Sequence, residues 1–198
     1  MLHPDTELKF VSPEIGYGIF TTQDIPKGTI IWVKDNLDRT FTQEEISSMT
    51  PANLENVMKY TYRDNKGRYL FCWDLTRYVN HSFQPNSMLT GLDFEIAIRD
   101  IAKGEEITND YGTLNIIEPM KCAYSHSERD SVYPDDLLRF HPQWDKCIRE
   151  AMTKLYSVSQ PLQKFLTSSQ KDQIEKIHSG KVEMPSLIQS YFDAKNES

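Results

Sequence analysis

Three short segments hold the residues whose types and spacing could do chemistry. Gly16-Tyr17-Gly18 sets two glycines around one aromatic residue, which permits positive φ and close backbone approach to a ligand. Taken alone, it is a weak signal, and a bare tight turn is the simpler account. Arg77-Tyr78-Val79-Asn80-His81-Ser82-Phe83-Gln84-Pro85-Asn86 offers an amide with donors and an acceptor, and a planar imidazole. An Asx-type turn capped by its own side chains is the simpler account of Asn80-His81-Ser82. Gly104-Glu105-Glu106-Ile107-Thr108-Asn109-Asp110-Tyr111-Gly112 ends on acids, an amide and a tyrosine. Its acids suit a solvated strand end, and Tyr111 suits a core aromatic with a satisfied hydroxyl. Yet both longer segments are denser in polar groups than packing in a strand-rich core would select.

The elements that must position them are short strands separated by turns over the first ~115 residues. Leu8–Val11, Thr29–Val33, Tyr69–Trp73, Phe94–Arg99 and Glu106–Thr108 read as strands, with Phe94, Ile96 and Ile98 sharing one face. An insert from about 42 to 66 reads as helical: Thr42-Gln43-Glu44-Glu45 fits a capping box, and Pro51 suits the first position of a second helix. Asp64-Asn65-Lys66-Gly67 supplies a hairpin-like turn. Residues 113–134 read as loop. From Asp135 onward the pattern is helical, with Trp144, Ile148, Met152 and Leu155 on one stripe. Ser168 to His178 forms a further helix stopped near Gly180, and 185–195 a short last one. The expected organisation is a core over 7–113, a following segment over 114–140 and a helical extension over 141–198.

The three motifs, in this order, resemble the signatures of SET-domain protein-lysine methyltransferases. The resemblance covers roughly residues 7 to 140. It implies a mainly β fold with α-helices, in which small sheets surround a knot-like core holding cofactor and tyrosine. It implies S-adenosylmethionine as cofactor, S-adenosylhomocysteine as product, and the side-chain amine of a protein lysine as methyl acceptor. Gly16, Tyr17, Gly18, Asn80, His81 and Tyr111 are the implied cofactor contacts, and Tyr111 the catalytic residue, orienting the amine. Lysine is mostly protonated at neutral pH, and a dry channel beside a positive sulfonium disfavours the ammonium form.

Two departures stand out. Relatives often hold a structural zinc through the cysteine of an Asn-His-Ser-Cys string and a later C-x-C-x(4)-C run. Here Phe83, Tyr124 and Arg129 stand at three of those positions and only Cys122 remains, so no zinc is expected. Phe83 packing on Tyr124 is expected in its place. Closure of the channel then falls to Tyr124, Tyr133, Phe140 or the helical tail. Asn109 stands where relatives often carry Phe or Tyr, a position that influences how many methyl groups are added.

Composition narrows the partners. The chain has 198 residues, a net charge of −7 and 38% hydrophobic content, ordinary for one domain with an appendage. The charge argues against nucleic-acid binding and would attract basic peptides such as a histone tail. Three dispersed cysteines, Cys72, Cys122 and Cys147, suit a reducing compartment, and neither a membrane span nor a secretory signal is visible. An intracellular enzyme, cytoplasmic or nuclear, is expected; a host-delivered microbial or viral enzyme fits the compact layout equally well. The rival readings are a SET-fold binding module without activity and a small metalloenzyme using His81, His126 and His141. The helical tail is either extra core or a surface for substrate or a second copy.

Overall fold

The computed structural model describes residues 1–122 and 129–193. The chain runs through β1 (Thr6–Ser12), β2 (Gly16–Thr21), β3 (Ile30–Val33) and β4 (Arg39–Phe41) into two helices, α1 (Gln43–Ser47) and α2 (Pro51–Tyr60). Then follow β5 (Thr61–Arg63), β6 (Tyr69–Phe71), β7 (Asn80–His81), β8 (Ser87–Leu89), β9 (Phe94–Ala97) and β10 (Glu106–Asn109). A hairpin of β11 (Met120–Lys121) and β12 (Ser131–Val132) precedes α3 (Asp136–Met152) and α4 (Ser168–His178). The sheets are small, ordered β1-β2-β10-β7, β3-β9-β8, β4-β6-β5 and β11-β12.

The local signals in the insert act as read. Thr42 and Glu45 form the reciprocal capping box of α1, and Pro51 opens α2. The helical stretch is shorter than expected, because Thr61–Arg63 leaves α2 to pair with β6. Thr61, Tyr62 and Arg63 are β-branched, aromatic and long, and the half-buried pairing surface of β6 suits them better than another helical turn. The loop expected over 113–134 contains the β11-β12 pairing.

The C-terminal helices are core. α4 spans the expected residues, and Gly180 follows it at φ 71°. Trp144, Ile148, Met152 and Leu155 bury their stripe against Ile30, Val33, Met88, Phe94 and Ile96, and Leu162, Leu166, Ile174 and Leu187 complete the same cluster. The last segment is a 3-10 turn over Leu187–Ser190, whose Leu187 amide donates to the buried Asp145. The α3 stripe is thus consumed within the chain.

Candidate active site

β10 brings the three motifs together. It pairs antiparallel with β2, which starts at Gly16, and parallel with β7, which is Asn80-His81. The parallel register sets Thr108 beside Asn80 and Asn109 beside His81. Asn86 ties this junction with its side chain. Its Nδ2 donates to Glu106 O at 2.7 Å and its Oδ1 accepts from the Thr108 amide at 2.9 Å, so one side-chain amide satisfies the two β10 backbone groups that flank Ile107, as a neighbouring strand would.

At the β2–β7 seam each glycine has a distinct reason. Gly16 has φ 85°, with open space where a Cβ would stand. At Gly18 a Cβ would lie 2.2 Å from Glu106 Oε1 and 2.9 Å from Asn80 Nδ2. That close approach lets Asn80 Nδ2 donate to Tyr17 O at 3.0 Å and to Glu106 Oε1 at 2.7 Å. The Tyr17 ring is half exposed and meets Phe10 and Tyr78 edge-on.

His81 holds Tyr111. Its Nδ1 accepts the Tyr111 amide at 3.1 Å, and its ring stands between Phe83, 4.3 Å away edge-on, and Tyr111 at 5.4 Å. Burial, with the Arg129 charge nearby, pushes the His81 pKa down to about 4. The ring is therefore neutral, and its 3.9 Å approach to Asp110 is no ion pair. Its Nε2 is buried, with no hydrogen-bond partner among the described residues. The Tyr111 hydroxyl donates to Val79 O at 2.8 Å, and burial raises its pKa, with Glu95 and Glu106 adding to the shift. A neutral phenol fixed to a carbonyl orients a group; it does not act as a base.

Behind Tyr111 lies a cavity of about 440 Å³ walled by Tyr60, Tyr62, Val79, Glu95, Asn109 and Ile117 among others. The glycines, Asn80 and His81 do not line it, so the motif residues divide around Tyr111. A larger cleft of about 590 Å³, between the ends of α3 and α4, contains no motif residue.

Two residues that the sequence singled out for other reasons meet beside this centre. The Arg129 guanidinium lies 4.5 Å from the Phe83 ring and 4.4 Å from that of Phe140, and pairs with Asp110 and Asp136 at 2.5 Å each. A guanidinium and a phenyl ring are not zinc ligands; here they form an ionic and aromatic clamp between Asp110, next to Tyr111, and α3. Tyr124 and His126 lie outside the described residues, so the expected Phe83–Tyr124 contact does too. Among the described residues no three His, Cys, Asp or Glu side chains are placed to hold a metal ion.

Glu95 is the site residue that sequence reasoning missed. Between Phe94 and Ile96 it reads as the outward position of an alternating strand. But β9 is the middle strand of its sheet, and all four of its residues are buried. Glu95 Oε1 accepts from Asn109 Nδ2 at 2.5 Å, and Oε2 from Ser87 Oγ at 3.4 Å. Burial raises its pKa from 4.5 to about 7 despite both bonds.

The sign of the resulting pH dependence follows by linkage. A raised carboxyl pKa contributes stability that is full below about 4.5 and is lost as pH rises towards about 7. The depressed His81 pKa contributes stability that is full above 6.5 and is lost as pH falls towards about 4. The two slopes oppose each other across the same window. Glu95→Gln should therefore stabilise the protein at pH 8 relative to pH 4.5 by about 3 kcal/mol more than wild type shows, one pKa unit being about 1.36 kcal/mol. Urea unfolding of both proteins at the two pH values measures this; parallel pH curves would show that Glu95 does not titrate in the folded protein.

The family model for the SET domain matches residues 16–112, starting at the first glycine of β2 and ending just after Tyr111. Among solved structures, a crystal structure of a Plasmodium falciparum protein named as a candidate histone methyltransferase is similar at 23% identity and a TM-score of 0.40, covering 56% of this chain and 95% of its own. No curated protein matches. The strand junction that joins the three motifs lies within the segment that the family model spans, and residues 16–112 of the chain are a SET domain.

Proposed function

We propose that the chain is an S-adenosylmethionine-dependent methyltransferase acting on lysine side chains of proteins, with basic segments such as histone tails as the substrate class. The observation that carries this reading is the place of Tyr111. Its amide is held by His81 and its hydroxyl by Val79 O, between the glycine and asparagine seam on one side and the cavity on the other. The seam suits a small polar cofactor. Space is open beside Gly16, backbone comes close at Gly18, and the buried His81 Nε2 lacks a partner among the described residues.

Gly16, Tyr17, Gly18, Asn80 and His81 would hold the cofactor, which when bound supplies an electrophilic methyl group on a positively charged sulfur. Tyr111 and the carbonyl that anchors it would orient the acceptor nitrogen. The apolar cavity walls would exclude water and align the lysine stem, so that positioning and desolvation contribute most of the rate. The net charge of −7 supports attraction of a basic peptide. An intracellular site of action, in a host or in the enzyme's own cell, remains part of this proposal.

The test has two stages. Calorimetric titration with S-adenosylmethionine should give saturable one-to-one binding. Mass spectrometry of core histones and of a cell lysate incubated with protein and cofactor should then show lysine residues heavier by one or more methyl groups. No cofactor binding would favour the fold as a binding module and overturn the proposal.

A further inference from the structure

A carboxyl group in the middle strand of a sheet is costly unless something answers its charge. Glu95 is 6% exposed, and its β9 neighbours Phe94, Ile96 and Ala97 are wholly buried. Its hydrogen-bond partners, Asn109 and Ser87, are both neutral. Among the described residues no Lys, Arg or His pairs with it. The cavity's two arginines are turned to other work: Arg63 donates to the carbonyls of Asn115 and Ile116, and Arg77 to those of Trp73 and Asp74. Asn109 is 2% exposed, and with its Nδ2 given to Glu95, its Oδ1 is buried with no donor among the described residues. The cavity wall thus carries the Glu95 carboxyl group, bonded to the Asn109 amide N–H, and beside it an amide oxygen that has no donor among the described residues. Among rigid, largely apolar walls, these acceptors are complementary to an ammonium group, which brings three N–H donors and a positive charge.

We propose that Glu95 and Asn109 form the subsite that receives the charged end of the substrate lysine and takes its proton. Asn109 Oδ1 accepts one ammonium N–H and the Glu95 carboxylate another. One N–H bond of the ammonium breaks, its proton passes to the carboxylate to give the carboxylic acid, and the electron pair left on nitrogen is free to attack. Among the described residues, the titratable groups whose ionisation the Glu95 charge opposes are Tyr62 on β5, Cys72 after β6 and Tyr111 after β10. Burial, with Glu95 adding to it, raises the pKa of all three. They stay neutral, so Glu95 is the group among them that changes charge around neutral pH. The identity of the ligand rests on the methyltransferase reading; the existence of an ammonium subsite does not.

The probe is n-butylammonium, which reproduces the end of a lysine side chain, compared with n-butanol. Calorimetry on the full chain saturated with S-adenosylhomocysteine should show butylammonium binding that weakens at least tenfold in Glu95→Gln, with butanol binding unchanged. In wild type alone, butylammonium affinity should rise as pH increases from 5.5 to 8, which keeps the test decisive if the variant fails to fold. Equal losses for amine and alcohol, a flat pH dependence, or no butylammonium binding by wild type would each overturn the proposal. The two readings fail separately. Amine binding without methylation of any protein removes the enzyme but leaves the subsite; methylation with no amine preference does the reverse.

Discussion

Tyr111→Phe should lower turnover by about 10²- to 10³-fold, the usual effect of deleting one preorganised hydrogen-bonding group at a reacting centre, while S-adenosylmethionine affinity stays within about twofold. The split follows from where the two ends of the residue go. Its amide is fixed by His81 and is untouched by the substitution, so the β10–β7 junction and the glycine seam remain in place. Its hydroxyl alone is lost, and with it the bond to Val79 O. One buried carbonyl is left unpaired, at about 1 to 3 kcal/mol of stability, which calorimetric melting would detect without abolishing the fold. Single-turnover methylation on the best substrate found by mass spectrometry, alongside cofactor titration, measures both halves. Unchanged turnover would remove Tyr111 from the mechanism. Lost cofactor binding would mean that the hydroxyl works on the other side of the junction.

Arg129→Leu should destabilise the protein by about 3 to 5 kcal/mol, the range for stripping the partner from a buried ion pair. Asp110 and Asp136 are each 1% exposed, and Arg129 reaches both. Burial already raises the Asp110 pKa, and the guanidinium is what pulls it back. Leucine would keep an apolar contact with Phe83, Phe140 and Trp144 but leave two carboxyl groups facing each other. Asp110, whose pKa burial already raises, would relieve this by taking up a proton, so the defect should shrink as pH falls. Chemical denaturation at pH 7.5 and 5 measures the loss and its pH dependence. Activity should fall with stability, because Asp110 caps the turn that begins at Tyr111 through the Gly112 amide. A loss under about 1 kcal/mol would mean that the clamp is ornamental and that Asp110 is solvated in another way.

The motifs and the local starts and stops of elements were legible in the sequence because each depends on neighbours a few residues away. The Thr42–Glu45 box, Pro51 and the Ser168–His178 helix are of this kind. The meeting of Gly16–Gly18, Asn80-His81 and Tyr111 in one junction was legible only through the order of motifs the chain shares with a family. Glu95 was hidden because a two-residue alternation cannot say whether a strand lies at an edge or in the middle of a covered sheet. Arg129 was seen as a missing cysteine. That it would reach Phe83, another such position, needed the packing of α3, since the sequence separates them by more than forty residues. Gly112 shows the same limit: a Cβ there would come within 2.9 Å of Trp144 and 3.0 Å of Asp136, a close approach set by a helix that starts well downstream.

The shared cluster of Ile30, Phe94, Trp144, Ile174 and Leu187 has a consequence for how the chain is made. The segment that carries the family pattern leaves the ribosome some seventy residues before the side chains that finish its interior. Until Leu187 emerges, the faces of β3 and β9 that those side chains cover stay open to water. The stretch that matches the family and the stretch needed to cover this cluster are, in this protein, two different lengths of chain.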